Sequence, residues 1–168
     1  NGMVTQRNKV DQAAAQLDSA YQRRFDLVPN LVESVKGAQA QEQKVFGDLA
    51  AARTQYGGAK TTEDRLAASQ QYESALSRLL VVVENYPELA STETVQNLMI
   101  QLEGTENRIK VERDNYSAAA TTYNTMIQHF PKNILAGMFG FDKKDLYTAD
   151  VGAATAPKVN LTQPAAAQ

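Results

Sequence analysis

The sequence has no cysteine, no tryptophan and a single histidine, His129. Without cysteine there is no disulfide, thiolate nucleophile, iron–sulfur cluster or Cys-ligated zinc. One histidine excludes multi-histidine metal sites and leaves a Ser-His-Asp triad one candidate base. The longest uninterrupted apolar run, Leu79-Leu80-Val81-Val82-Val83, falls far below the roughly 20 residues a membrane-spanning helix needs. The first residues do not form a signal peptide, and Gly57-Gly58 lacks the Lys-Ser/Thr that completes a phosphate loop. Basic excess is also missing: 17 Lys+Arg stand against 19 Asp+Glu, a net charge of −2, which argues against nucleic-acid binding. No metal, cofactor or nucleic acid is expected. The 168 residues suit one domain.

Alanine and glutamine, both good helix formers, are abundant. Apolar residues recur three and four apart. The first fifty residues give Val10, Ala14, Leu17, Tyr21, Phe25 and Val28, then Leu31, Val35, Ala38, Val45, Leu49 and Ala52. A second stripe runs Leu66, Tyr72, Leu76, Leu79, Val83 and Tyr86, and a third Val95, Leu98, Leu102, Ile109, Tyr116, Tyr123, Ile127 and Phe130, passing through Thr105 and Glu112. This is the pattern of helices facing other helices, and no segment alternates with the period of a strand.

Gly57-Gly58 stops one helix, and Thr61-Thr62-Glu63-Asp64 opens the next with a capping hydroxyl and acids. Tyr86-Pro87 closes that helix, Ser91-Thr92-Glu93 caps the following one, and Phe130-Pro131 ends it. Pro29 is compatible with a tight reversal or with a kink. A reversal predicts an all-α, antiparallel up-and-down four-helix bundle with helices over 3–28, 30–57, 62–86 and 91–129; a kink predicts a three-helix bundle with a long first helix. The reversal is the favoured reading. Domain organisation follows: a helical bundle over 1–147 with a C-terminal cap segment at 130–147, then an Ala/Pro-rich tail at 148–168, too poor in large apolar residues to fold alone.

The densest polar cluster is Arg23, Arg24, Asp26, Asn30, Glu33 and Lys36 around Pro29. It reads as helix-end capping with solvated ion pairs, or as a binding surface for a partner helix or headgroup. Glu42 lies on the apolar stripe and must be paired, protonated or at a wet edge; pairing with a basic residue of a facing helix is favoured over a catalytic role. Gly104 interrupts the last long helix, and close helix–helix approach is the expected reason, with a local polar contact as the alternative. Ile134, Leu135, Met138, Phe139 and Phe141 are expected to plug the bundle end, with an exposed apolar dock as the alternative. His129 reads as a helix-end residue favoured by the dipole.

The segment Arg23-Arg24-Phe25-Asp26-Leu27-Val28-Pro29-Asn30-Leu31-Val32, followed by Val35-Lys36-Gly37, resembles the signature of the bacterial LemA family. Three further blocks match in order: LLVVVENYPEL (79–89), LEGTENRI (102–109) and YNTMIQHFPKNILAGMFGF (123–141). The resemblance covers about residues 1–147. Ala13-Ala14-Ala15 departs from it, where many relatives carry an Ala-Trp pair. It implies a mostly four-helix antiparallel bundle, no assigned catalytic residues, and a membrane-spanning or lipid-anchoring segment just before Asn1.

The combined expectation is a non-enzymatic, membrane-tethered scaffold or adaptor of the bacterial cell envelope that works through protein–protein contacts, with an unidentified protein partner. Arg23, Arg24, Asp26, Pro29, Asn30, Glu33, Lys36, Glu106 and Asn107 are its candidate interaction or architecture-defining residues. The alternative is a homo-oligomeric structural protein, with the apolar 134–141 segment and the tail strapped onto a neighbouring copy.

Overall fold

The computed structural model describes residues 1–35 and 43–147. Every regular element among them is a helix: α1 (Gly2–Val35), α2 (Gln43–Gly58), α3 (Thr62–Glu84), α4 (Pro87–Ala90), α5 (Glu93–Gln128) and α6 (Lys132–Phe139). The ends follow local chemistry. Thr61 caps α3 by accepting the Asp64 amide at 3.0 Å, and Thr92 caps α5 by accepting the Val95 amide at 3.4 Å. Pro87 ends what precedes it and begins the one-turn α4 at the position where a missing N–H costs nothing.

The expected boundary at Pro29 is not there. Helix α1 continues through Pro29 to Val35, so a reversal at Pro29 does not describe the chain. A proline inside a helix forgoes the bond to the carbonyl four residues back, here Phe25, at a cost of about 3 kcal/mol. Here it stands on the exposed face, while Val28, Leu31 and Val35 continue the buried stripe on the other. Burying three such side chains is worth about 1.5–3 kcal/mol each, which outweighs the defect.

Helices α1 and α5, 34 and 36 residues long, pair antiparallel along their lengths. Tyr21 meets Arg113 and Arg24 meets Glu106, so the register falls along α5 as it rises along α1. Helix α2 folds back on α3, where Asp48 meets Arg78 at 3.0 Å. Helix α3 runs parallel to α1, with Arg65 opposite Asp18 and Tyr72 opposite Phe25. A cluster of Tyr21, Phe25, Tyr56 and Tyr72 joins α1, α2 and α3, with ring centroids 4.8 to 6.3 Å apart.

The N-terminal half of α1 and the C-terminal half of α5 project beyond α2 and α3. There residues 141–147 run as an extended strap along the α1–α5 pair. Gly140, at φ 66°, turns the chain out of α6 into that strap, a left-handed conformation that favours glycine. Among the described residues, no helix is long and apolar enough to cross a membrane.

Candidate functional site

Arg24 is the largest fully buried side chain described, with 0% of it exposed. It occupies the core-facing row of α1 that repeats every seven residues as Val10, Leu17, Arg24 and Leu31. A guanidinium does not lose its proton, so it enters the core charged and requires acids. Its Nη1 donates to both Glu106 carboxylate oxygens, at 3.1 and 3.2 Å, and lies 3.6 Å from Glu73 Oε1. Its faces meet aromatic rings, with Cζ 5.0 Å from the centroid of Tyr21 and 4.9 Å from that of Tyr72. Nε and Nη2 are buried without a hydrogen-bond partner, so the ring contacts offset only part of the desolvation.

A second arginine completes the network. Arg113 donates from Nε to the Tyr21 hydroxyl at 2.7 Å and from Nη2 to Glu73. Burial works to lower the Arg113 pKa, but Tyr21 and Glu73 beside it leave it above its ordinary value. Glu73 thus bridges Arg24 and Arg113, and the cluster fastens α1, α3 and α5 together.

Two further polar devices lie along the same pair of helices. Asp18 accepts the Tyr56 hydroxyl and an Arg65 guanidinium N–H, both at 2.7 Å, joining α1 to the end of α2 and the start of α3. Burial first, then the bond to Asp18, pushes the Tyr56 ionisation far up. Asn124 holds the strap through both ends of its amide: Nδ2 donates to the Lys144 carbonyl and Oδ1 accepts the Lys144 amide, each at 2.8 Å. Tyr116 donates to the Asp145 carbonyl at 3.1 Å and Ser117 to that of Tyr147 at 3.2 Å, while the Tyr147 ring meets Tyr116 edge-on. The buried carboxylate on the α5 stripe, Glu112, is satisfied within its own helix by Arg108 at 2.7 Å and Asn115 at 3.0 Å.

The sequence-derived candidates therefore divide. Arg24 and Glu106 form one cross-helix contact. Asp26 is exposed, accepting from Gln22 at 2.9 Å and lying 3.8 Å from Arg53. Arg23, Pro29, Asn30, Glu33 and Asn107 sit on exposed helix faces and are not drawn into the Arg24 cluster. Lys36, Glu42 and the tail 148–168 lie outside the described residues. Gly104 is exposed and a Cβ there would meet nothing within 4 Å, so close helix approach is not its reason. His129 ends α5 as its C-cap.

The expected plug at the bundle end is corrected too. Only Ala136 of α6 is buried; Ile134, Leu135, Met138 and Phe139 are between 44% and 72% exposed and Phe130 is 79% exposed, with Phe141 half-buried under Arg7. Phe130 had seemed the last residue of the α5 stripe, but α5 stops at Gln128 and releases it to solvent. Glu73, Arg113, Asp18 and Asn124 were missed. The seven-residue row containing Arg24 was the available signal, since a cation at a core position demands acids elsewhere.

Fold and site define a long-helix domain whose buried polar side chains fasten helices and strap to one another. The chain belongs to the LemA family, whose model matches residues 13–161. It is similar to the magnetosome proteins MamQ 1 and MamQ 2 of Paramagnetospirillum magneticum, each 38% identical over 104 residues, which is 62% of this chain and 35% of the relative. Magnetosome protein MamQ of Magnetospirillum gryphiswaldense is 35% identical over 82 residues, 49% of this chain and 30% of the relative. The matched part thus spans about a third of these curated relatives.

Proposed function

We propose that this chain is the helical-bundle domain of a membrane-tethered scaffold or adaptor of the bacterial cell envelope, acting through protein–protein contacts and not by catalysis. In this reading α1, α2, α3 and α5 make an up-and-down four-helix bundle within a 1–147 domain, and the tether precedes Asn1. The observation that carries the reading is the Arg24 cluster. Its charges are turned inward onto three helices, giving a stiff frame, while Arg23, Asn30 and Asn107 stand on outward faces where a partner can reach them. The test is fractionation of native cells with a carbonate wash, followed by cross-linking from position 23 or 107. Retention in the washed membrane with a discrete cross-linked protein supports it, and recovery in the soluble fraction overturns the tether.

The exposed apolar α6 favours a second reading, a homo-oligomeric structural element. Light scattering on the purified chain separates the two, since a strict monomer at high concentration excludes self-assembly.

A further inference from the structure

We infer that the α6 end of the domain is a membrane-contact surface that seats on an anionic bilayer. This deepens the membrane reading above and rests on it. Five large apolar side chains, Phe130, Ile134, Leu135, Met138 and Phe139, stand exposed within ten residues. All but Phe130 belong to the short helix α6, which packs against α5. They project from the tip of a rod, where the last turns of α5 and the first turns of α1 end together. Val4, exposed on that first stretch of α1, adds to the same end.

Charge selects the occupant. The chain as a whole is acidic, with net charge −2, yet residues 1–10 and 115–141 contain no Asp or Glu. Those stretches carry Arg7, Lys9 and Lys132, all exposed. Lys143, just past α6, adds another exposed cation, while the exposed acids Asp11, Asp142 and Asp145 lie just outside these stretches. An apolar tip with a cationic surround fits acyl chains and the phosphates above them, the composition of an interfacial helix. At eight residues α6 is far too short to span the bilayer, so it lies in the interface.

The absence of tryptophan supplies the probe. In Phe139→Trp the only indole stands in the proposed contact. Vesicles of phosphatidylcholine with phosphatidylglycerol are expected to shift its emission to the blue and shield it from acrylamide, with a much smaller effect from phosphatidylcholine alone. Adding Met138→Glu, an exposed change that leaves the helical circular dichroism and Tm unaltered, is expected to weaken vesicle binding at least tenfold. Unchanged emission with anionic vesicles overturns the inference, as does binding indifferent to Met138→Glu. A lipid-free oligomer that Met138→Glu converts to monomer also overturns it, because the tip then serves a second copy. If the native protein stays in washed membranes while Phe139→Trp ignores vesicles, this inference fails and the tether stands; if the native protein is soluble, the tether fails.

Discussion

Arg24 and Glu106, 82 residues apart, meet in a forked contact of 3.1 and 3.2 Å in which only one partner is sealed from water. Arg24 has 0% exposure, whereas Glu106 and Glu73 keep 37% and 31%. The two sides of the pair therefore respond differently to loss. Removing Glu106 leaves a charged guanidinium in the core with Glu73 at 3.6 Å, whereas removing Arg24 leaves two acids that water reaches.

Glu106→Ala is accordingly expected to cost about 2–4 kcal/mol, near the range for breaking a buried pair. Arg24→Met, which fills the space with an apolar chain, is expected to cost about 1 kcal/mol or less. The double variant should resemble Arg24→Met, since the stranded charge is gone. Urea unfolding of the three proteins checks this, and equal losses from the two single variants would refute the asymmetry.

Alkaline pH tests the buried tyrosines. Burial raises the ionisation of Tyr56, Tyr72 and Tyr147 above the ordinary 10.0. Above about pH 10 the unfolded chain releases these protons while the folded chain keeps them, so the unfolded state binds fewer and stability falls as pH rises. The slope is up to about 1.4 kcal/mol per pH unit for each tyrosine. Tyr56→Phe should lose about 1 kcal/mol near neutrality with its bond to Asp18, and show a shallower alkaline decline. A urea midpoint flat from about pH 9 to about pH 11 would contradict this sign.

Much of the helical framework was legible because it depends on local chemistry. The caps at Thr61 and Thr92, and the stops near Gly58 and before Pro87, lie where turn and cap residues put them. The stripe residues Leu17, Tyr21, Leu79, Ile109 and Tyr123 are all buried, and so are Thr105 and Glu112, the polar residues the stripe runs through. Pro29 was misread because its steric rule is local, whereas the burial that overrides it depends on which helix faces Val28 and Leu31. The Arg24 cluster was half legible: the residue stood out, but Glu73 and Arg113 come together only through helix register. The exposed tip could not be settled, since an apolar helix reads alike whether something covers it or not.

The Asn124 clamp predicts a local effect. Asn124→Ala removes both bonds to Lys144 while leaving the α1–α5 pairing intact. Hydrogen exchange at the Lys144 amide is expected to speed up about tenfold, the equivalent of about 1.4 kcal/mol. Global stability should fall by less than about 1 kcal/mol, because the strap is a surface element. Equal acceleration along α1 would show that the strap supports the whole rod.

Pro29 and Gly104 predict gains. Both stand inside long helices on exposed faces, and neither has a turn or close approach that requires it. Gly104→Ala should stabilise by about 0.5–1 kcal/mol through reduced freedom of the unfolded chain and better helix propensity. Pro29→Ala restores an amide donor for the Phe25 carbonyl and should add about 1–3 kcal/mol, with the upper end reached only if α1 is bent there and straightens. The positions are 75 residues apart in sequence and share no partner, so the double variant should be near the sum. A loss of stability from Pro29→Ala would mean that the break in the α1 hydrogen-bond ladder sets a curvature the packing of Val28, Leu31 and Val35 depends on. The same variant with stability raised and a cross-link from position 23 lost would assign Pro29 to the shape of the partner surface.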